Sequence, residues 1–247
     1  MKKLLKKSTA VVTAAAAVRA VRTDWRQWRW VRGRRAIIAN YFRAHPSPKL
    51  QIGSSWTPLP GWLNTDITPE LPEVAYLDAT KPFPFAENIF NYVICEHMIE
   101  HIPHADGMAM LRECFRVLKP GGKIRLATPD LRMLTGLIAP EKTAMQKNYV
   151  DWIIAREMPE VNEARDVFVL NNAFRAWGHQ FLFDRATLKL TLQKCGFEGV
   201  QDFSPGVSDD PVLRGLEAHG RAVGNEAMNE FETIVVEARV PAAKKSA

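Results

Sequence analysis

The sequence predicts an α/β fold: a seven-stranded, mostly parallel sheet with helices on both faces, preceded by a basic helical arm. Short apolar runs alternate with segments of helical periodicity from residue 49 to residue 240, which is the pattern of a parallel sheet covered by helices. Residues 1–48 hold twelve Lys and Arg and one acid, a net of +11, whereas the remaining residues carry −5. We therefore expect a basic arm over 1–48, a body over 49–240 and a disordered tail over 241–247.

Composition limits the class of protein. At 247 residues, 47% of them hydrophobic, the chain has room for one sizeable domain and an appendage. Its three cysteines, Cys95, Cys114 and Cys195, have no paired spacing, which argues against a disulfide framework and fits a reducing compartment. No apolar run reaches the roughly 18 residues of a membrane-spanning helix. A cytoplasmic protein is expected, peripheral to the inner face of the membrane if the arm binds lipid.

The arm begins MKKLLKKSTAVVTAAAAVRAVR, which resembles a secretory signal, but its apolar stretch is mostly alanine and an Arg-rich segment follows. Helical spacing of apolar residues beside a stripe of arginines instead favours an amphipathic helix. The apolar positions are Val18, Val21, Trp25 and Trp28, and the basic positions are Arg19, Arg22, Arg26 and Arg29.

Tryptophan beside arginine suits the headgroup layer of an anionic membrane, which residues 1–45 are expected to bind. A solvated tail, a helix packed on the body and an arm that binds nucleic acid stay open as alternatives. Because the first strand of the body begins only at Lys49, the body is expected to fold without the arm.

Seven runs in the body predict strands, and three predict helices. The strand runs are KLQIG, WLNTDI, VAYLDA, NIFNYVICE, GGKIRLATP, GVQDFSP and ETIVVEARV. The helical runs are MAMLRECFRVLKP, KNYVDWIIAREM and RATLKLTLQKCGF, the last stopped by Gly196. Residues 131–178 do not fit another strand–helix unit, and we expect a helical insert there that folds over the site as a lid or is merely a solvated elaboration.

Small and acidic residues stand where four predicted strands end. Gly53, Asp66, Asp78 and Glu96 follow the first, second, third and fourth strands. Ligands of open α/β sheets bind outside the carboxyl ends of the strands. A glycine there admits close backbone approach, and carboxylates accept from ribose hydroxyls or an adenine amino group. Singly each residue fits a turn or a helix cap; together, in this order, they indicate a cofactor that contains a nucleoside.

The segments LQIGSSWTPLPGWLNTDI, YLDATKPFPFAENIFNYVICEHMIEHI and LRECFRVLKPGGKIRLATPDL resemble class I S-adenosylmethionine-dependent methyltransferases of the methyltransferase 11 type, which are Rossmann-like. The resemblance is to the subgroup with PLPGW between the first two strands. It is strong over residues 49–130 and continues more weakly through GHQFLFDRATLKLTLQKCGF to the closing strand. It implies S-adenosyl-L-methionine as the cofactor.

The resemblance also implies roles for individual residues. Residues 53–55 would wrap the methionine part of the cofactor, Asp66 would hold the ribose, Asp78 and Ala79 would flank the adenine, and Glu96 would lie beside the transferable methyl group. The first loop departs from the family, because Gly53-Ser54-Ser55 replaces G-C-G. Gln51 also stands where an acid is common. Serine restricts the backbone relative to glycine, so weaker cofactor binding is one expectation.

The run CEHMIEHIPH places His97, Glu100 and His101 in the pattern H-x-x-E-H, which binds zinc in one class of protease. Such a site needs a third protein ligand, and none is evident downstream. No metal is therefore expected. Imidazole is instead a suitable base for an acceptor hydroxyl, and His97, His101 and His179 are the candidates. The alternative for each is a capping or packing histidine.

Three functions remain open from the sequence. The first is a methyltransferase acting on a small-molecule, sugar or lipid-linked glycan acceptor, as in polysaccharide biosynthesis, at or near a membrane. The second is a non-catalytic module with a degenerate cofactor loop. The third is a nucleic-acid methyltransferase, disfavoured because no Asn/Asp-Pro-Pro-aromatic tetrad follows the fourth strand.

Overall fold

The computed structural model describes the backbone of residues 9–243 and the side chains of residues 25–243. Seven strands form one sheet in the order β3-β2-β1-β4-β5-β7-β6. The strands are β1 Lys49–Ile52, β2 Leu63–Asp66, β3 Ala75–Tyr76, β4 Phe90–Glu96, β5 Leu118–Pro129, β6 Glu198–Phe203 and β7 Thr233–Arg239. Strands β1 to β5 pair in parallel, and β7 is antiparallel to both β5 and β6. The predicted Rossmann-like, mostly parallel α/β sheet is confirmed.

Eight helices surround this sheet within the described residues. They are α1 Thr9–Ala44, α2 His104–Val117, α3 Leu131–Gly136, α4 Ala144–Glu157, α5 Asp166–Arg175, α6 Arg185–Lys194, α7 His219–Val223 and α8 Glu226–Glu232. A short 3₁₀ helix spans Ile99–His101. Helix α2 buries Leu111 and Cys114 against the sheet, as its helical spacing predicts, and α6 buries Leu188 and Leu192 in the same core.

Strand register places the predicted site residues at one edge of the sheet. Ile52 of β1 lies opposite Thr65 of β2 and Cys95 of β4. Gly53, Asp66 and Glu96, which follow these three residues, therefore meet at the carboxyl ends of three adjacent strands. Side chains chosen only because each follows a strand are thus brought together by the parallel pairing.

Residues 131–178 contain three helices, α3, α4 and α5. Their apolar faces form a second, smaller core with Leu134, Tyr149, Ile153, Val169 and Met228. The insert is therefore packed as a unit and linked to α8 through Met228. Its role as a lid stays a prediction.

The C-terminal end of α1 packs in the core of the body. Tyr41 of α1 is only 8% exposed and belongs to the main core. Its hydroxyl accepts from the Lys49 N–H at 2.8 Å and lies 3.2 Å from the carbonyl oxygen of Gly61. Ile37, Ile38 and Phe42 pack beside it. This end of α1 therefore packs with the body although it lies inside the range 1–48 that was expected to form the arm. Its burial argues against the expectation that the body folds without the arm.

The remaining part of the arm prediction is only partly described. Trp25 and Trp28 are 57% and 53% exposed, on one face of α1. The side chains of Val18, Val21, Arg19 and Arg22 lie outside the described residues, as do residues 244–247 of the expected tail. Within the described part of the chain, no helix combines the length and the apolar character needed to cross a membrane.

The segment between β6 and β7, which the sequence patterns did not predict, folds back over the sheet. Arg125 of β5 is fully buried and forms ion pairs with Glu217 and Glu237. It also donates to the carbonyl oxygen of Val207 at 2.9 Å. A buried guanidinium needs such partners to offset its desolvation. These contacts fix the segment that leads into α7 directly above the strand ends.

Candidate active site

A cavity of about 410 Å³ lies over the carboxyl ends of the strands. Gly53 and Ser55 of the first loop and Glu96 of β4 form one side. The helical insert forms the opposite wall through its apolar and aromatic residues. These are Leu134, Tyr149, Trp152, Ile153 and Trp177. The cavity thus joins the predicted cofactor loop to the predicted insert.

The first loop has the backbone form of a glycine-rich cofactor loop although two serines follow the glycine. Gly53 has φ +72°, and a Cβ built there would lie 2.6 Å from Cγ of Met98, so only glycine fits. Ser55 adopts φ +45°, the left-handed region that favours glycine. Ser54 is fully buried, and its Oγ has no hydrogen-bond partner among the described residues. The loop therefore keeps its shape while Ser55 carries backbone strain.

Asp66 holds this loop at the end of β2. Its Oδ2 accepts from the Ser55 N–H at 2.9 Å, and its Oδ1 accepts from the Thr68 N–H at 2.8 Å. A carboxylate has about four lone-pair sites, so it can accept a further hydroxyl. The strained loop, the unpartnered Ser54 hydroxyl and this carboxylate fit the predicted cofactor.

Asp78 and Ala79 lie farther along the same edge. Asp78 Oδ1 accepts from the backbone N–H of Thr80 at 3.0 Å and from its hydroxyl at 2.7 Å, which is an Asx turn. Neither Asp78 nor Ala79 lines the cavity. Their local contacts are those of turn residues, and their adenine role stays a proposal.

Glu96 lines the cavity, but its carboxylate already has partners. It accepts from the backbone N–H of Ala218, at 2.9 and 3.0 Å, and from that of His219, at 2.8 Å. These bonds tie the start of α7 to the end of β4. Glu96 therefore positions His219, a contact that the sequence did not reveal.

His97 has a polar neighbour at each of its ring nitrogens. Its Nδ1 lies 3.3 Å from Oε1 of the fully buried Glu100. Its Nε2 lies 3.2 Å from Oγ1 of Thr233, whose own proton is donated to Asn229 Oδ1 at 3.1 Å. Nε2 therefore donates to Thr233, while Nδ1 faces the carboxylate of Glu100. Burial alone would lower the pKa of His97, but the hydrogen bond and charge of Glu100 outweigh burial and raise it. Burial pushes the pKa of Glu100 up, and His97 lowers it overall.

His219 was missed by the sequence reasoning. Its ring stacks on that of His97, with centroids 3.8 Å apart and planes at 19°. Its Nε2 lies 3.7 Å from Oε1 of Glu232. The other oxygen of Glu232 accepts from the Tyr149 hydroxyl, and burial together with Glu232 raises the pKa of Tyr149 well above its ordinary value. These polar residues share the cavity wall with the charged Arg156 and Glu157 and with the apolar residues of the insert.

His179 offers a free ring nitrogen. Its Nδ1 is 2.7 Å from the carbonyl oxygen of Ala173. A carbonyl only accepts, so Nδ1 carries the proton and Nε2 keeps its lone pair. Burial lowers the pKa of His179 and favours this neutral form. Its ring centroid is 5.0 Å from that of His101 in an edge-to-face contact.

Glu100, His101 and His179 each offer one donor atom, and the three atoms lie within 4.8 Å of one another. Two imidazoles and one carboxylate are the ligand set of open zinc sites. The fold brings His179 beside Glu100 and His101, a neighbour that the sequence reasoning did not find, whereas His97 of the H-x-x-E-H pattern is not part of this group. Whether the chain binds a metal stays a prediction.

Comparison with known proteins finds a family model that matches part of the chain. Residues 63–126 match a family model described as "Methyltransferase domain". This stretch, about a quarter of the chain, is therefore similar to a methyltransferase domain, in agreement with the resemblance noted in the sequence. The matched stretch runs from β2 to β5 and includes Asp66, Asp78, Glu96 and the histidine run.

Individual relatives are similar over shorter or more divergent stretches. A 39-residue segment is 51% identical to the ubiquinone biosynthesis O-methyltransferase of Xanthomonas oryzae pv. oryzae and covers 16% of either chain. A SAM-dependent methyltransferase structure from Archaeoglobus fulgidus is 16% identical, with a TM-score of 0.47, covering 87% of this chain and 94% of that one. One from Mesorhizobium loti is 16% identical, with a TM-score of 0.45, covering 79% and 91%.

Proposed function

We propose that this protein is a methyltransferase that uses S-adenosylmethionine to methylate a hydroxyl of a small-molecule, sugar or lipid-linked glycan acceptor. The observation that carries the proposal is that one cavity contains both the loop tied to Asp66 and a neutral histidine with a free ring nitrogen. The cofactor, when bound, supplies an electrophilic methyl group. The chain then has to hold the acceptor in line and accept its proton.

In this proposal His179 is the base. Its Nδ1 proton is fixed on Ala173, so Nε2 can accept the proton that the acceptor hydroxyl loses as its oxygen forms the new bond to carbon. His97 is less suited to this role because its ring nitrogens already lie beside Glu100 and Thr233. It lines the same cavity with its ring stacked on that of His219.

The aromatic and apolar wall formed by the insert favours an acceptor with a flat or apolar part. The local similarity to an enzyme named as an O-methyltransferase supports oxygen as the acceptor atom. The insert would exclude water from the acceptor as a lid. A soluble sugar with no apolar part is the least compatible of the proposed acceptors.

The arm is proposed to hold the protein at an anionic membrane surface. Exposed Trp25 and Trp28 stand beside Arg29 and Arg32, whose guanidinium carbons lie 4.8 and 4.7 Å from the two ring centres. This arrangement gives an indole for the interface and a cation for phosphate. An enzyme with a lipid-linked or apolar acceptor gains local concentration from such an anchor.

A second chemistry is a metal at Glu100, His101 and His179, favoured by the proximity of their donor atoms. It would make His179 a ligand instead of the base. Elemental analysis and activity after a strong chelator separate the two: activity that survives metal removal supports the base, and stoichiometric zinc lost together with activity supports the metal.

The test of the proposal is transfer of labelled methyl groups from S-adenosylmethionine to a panel of hydroxyl-bearing acceptors, including polyprenyl-linked sugars and phenols. We expect transfer to at least one acceptor class and its loss in the His179→Ala chain. Cofactor binding without transfer to any acceptor would favour the non-catalytic module, and transfer only to DNA or RNA would favour the nucleic-acid enzyme.

A further inference from the structure

A second concave surface lies on the far edge of the sheet, between α1 and β3. It is a groove of about 390 Å³, here called the arginine groove. Arg26, Arg29 and Arg34 of α1 stand around it, and none of its residues lines the candidate active site. The groove is therefore a separate feature for which the methyl-transfer chemistry gives no role.

Charge in the groove is only partly neutralised. Arg26 lies 3.3 Å from Glu70, in an exposed pair. Arg29 and Arg34 have no salt-bridge partner among the described side chains. Two guanidinium groups thus face one concave surface without carboxylates of their own. Guanidinium is the side chain best suited to bind phosphate oxygens in pairs.

Side-chain contacts between α1 and β3 fix the shape of the groove. Trp30 and Tyr76 stack across it with ring centroids 6.3 Å apart and planes at 14°, and Gln27 donates to the Tyr76 hydroxyl at 2.8 Å. The guanidinium carbon of Arg34 is 5.9 Å from the Tyr76 ring centre. These contacts hold α1 against the sheet edge and keep the arginines in place.

Three lining residues of the groove are apolar and are here called its floor, and the space beside Gly33 is open. Ile37, Leu71 and Val74 line the groove with the arginines. Gly33 of α1 also lines the groove, and a Cβ built there meets no atom within 4 Å. Packing therefore does not require glycine, although glycine is unfavourable inside a helix. Glycine at position 33 leaves this part of the groove open.

We infer that the arginine groove binds the phosphate or pyrophosphate group of an anionic amphiphile, with the apolar floor receiving the adjoining lipid portion. A lipid is favoured over a free phosphate because Trp25 and Trp28 are exposed on the adjoining face of the same helix, and Arg29 serves both surfaces. The choice of lipid rests on the membrane association proposed above; the phosphoryl site itself does not.

The test uses the full chain and vesicles of phosphatidylcholine, with and without phosphatidylglycerol. The groove variant Arg29→Gln/Arg34→Gln is compared with Arg35→Gln/Arg43→Gln, which removes the same charge from the same helix outside the groove. We expect the groove pair to bind phosphatidylglycerol vesicles at least tenfold more weakly than the control pair. Equal weakening of both pairs would show that charge alone acts and would overturn the site.

A charge-neutral variant makes a second test. Gly33→Leu fills open space and raises helix propensity, so the chain should unfold at no lower temperature. We expect it to lose most vesicle binding although every arginine is present. Full binding by a folded Gly33→Leu chain would contradict a ligand inside the groove.

Soluble pyrophosphate separates the two sources of phosphate. Pyrophosphate that releases the wild-type chain from vesicles more strongly than sodium chloride of equal ionic strength supports a phosphoryl site used by lipid. Groove-dependent pyrophosphate binding without any vesicle binding overturns the lipid and leaves a soluble phosphate ligand. Groove-dependent binding of duplex DNA without vesicle binding overturns the proposal in favour of nucleic acid.

Calorimetry with S-adenosylmethionine on the same variants separates this inference from the proposed function. If the groove pair binds both cofactor and vesicles normally, the groove inference fails and the methyltransferase proposal stands. If no chain binds the cofactor but the groove pair alone loses vesicle binding, the reverse holds.

Discussion

Backbone strain at Ser55 is the clearest residue-scale departure from a glycine-rich cofactor loop. A non-glycine residue at φ +45° costs about 1–3 kcal/mol, and here the bond from its N–H to Asp66 offsets part of it. Ser55→Gly should raise the free energy of unfolding by up to about 1–2 kcal/mol and leave cofactor affinity equal or tighter. Chemical denaturation with and without cofactor measures both. A less stable Ser55→Gly chain would show that the serine side chain, and not the backbone shape, is what the loop needs.

Replacement of His179 is the most direct test of the proposed chemistry. His179→Ala should lower kcat by about 10²–10⁴, the usual contribution of a general base, and leave the Kd for the cofactor within about twofold. Because burial lowers the pKa of His179, the acid limb of the rate profile should lie below the ordinary histidine value of about 6.5.

His104→Ala is the matched control, since His104 is exposed and does not line the cavity. Its kcat should equal that of the wild-type chain. An unchanged kcat in His179→Ala, or an equal loss in both variants, would remove His179 from the reaction.

The buried pair of His97 and Glu100 makes stability depend on pH. The folded pKa of His97 is raised, so its contribution is complete below the ordinary value and is lost as pH rises through the folded pKa. The folded pKa of Glu100 is lowered, so its contribution is present above the ordinary value and is lost as pH falls through the folded pKa. Stability from the pair should therefore be highest in the weakly acid to neutral range.

Thermal unfolding at pH values from about 5.5 to 9.5 tests this for the wild-type chain and for the double variant His97→Gln/Glu100→Gln, in which neither member of the pair titrates. We expect the wild-type Tm to fall on the alkaline side more steeply than that of the variant, which lacks the titrating ring. Parallel curves would mean that the pair does not hold an extra proton in the folded state.

At the scale of elements, the C-terminal end of α1 belongs to the body. A chain that starts at Pro46 loses the buried ring of Tyr41 with Ile37, Ile38 and Phe42. Removing one buried aromatic side chain typically costs about 3–5 kcal/mol, so this chain should be unstable or unfolded. A chain that starts at Ala36 keeps these contacts and should unfold close to the full-length temperature.

Tyr41→Phe tests the same packing in the full chain. It leaves the Lys49 N–H without its bond to the hydroxyl and should cost about 1–3 kcal/mol. Arg43→Ala, at an exposed position two residues later, should cost under about 0.5 kcal/mol. A fully stable chain from Pro46 would restore the original boundary.

The local sequence pattern predicted the strands, but it did not predict every element that contributes residues to the site. Asp66 and Glu96 could be placed because each follows an apolar run, and parallel pairing brings such ends together. His219 and Glu232 could not, because buried Arg125 and the Glu96 carboxylate hold their segment in place through long-range contacts. His179 was named from the sequence, yet its distance from Glu100 depends on how the insert packs.

The sequence also predicted the arm only in part. Helical spacing predicted its helix, and its charge predicted an anionic partner. Its burial from Ile37 onward was not visible because Pro46 and Pro48 suggested a linker. The only signal was the helical spacing of the apolar residues Ile37, Ile38, Tyr41 and Phe42.

At the scale of the whole molecule, the chain combines a Rossmann-like α/β body, a packed helical insert beside its cavity and a cationic helix along one edge of the sheet. The cavity and the arginine groove have separate lining residues, so cofactor binding and surface attachment should vary independently. This division suits an enzyme that meets its acceptor at a surface and carries out the reaction in an enclosed site.

Cofactor binding is the central claim, and isothermal titration calorimetry of the full chain with S-adenosylmethionine tests it most directly. We predict one molecule bound per chain, and binding at least tenfold weaker in a folded Asp66→Ala chain, because a hydrogen bond to a charged acceptor is worth about 1.5–3 kcal/mol. No binding by the folded wild-type chain, with S-adenosylhomocysteine as well as with S-adenosylmethionine, would contradict the claim. Equal affinity in Asp66→Ala would contradict the site.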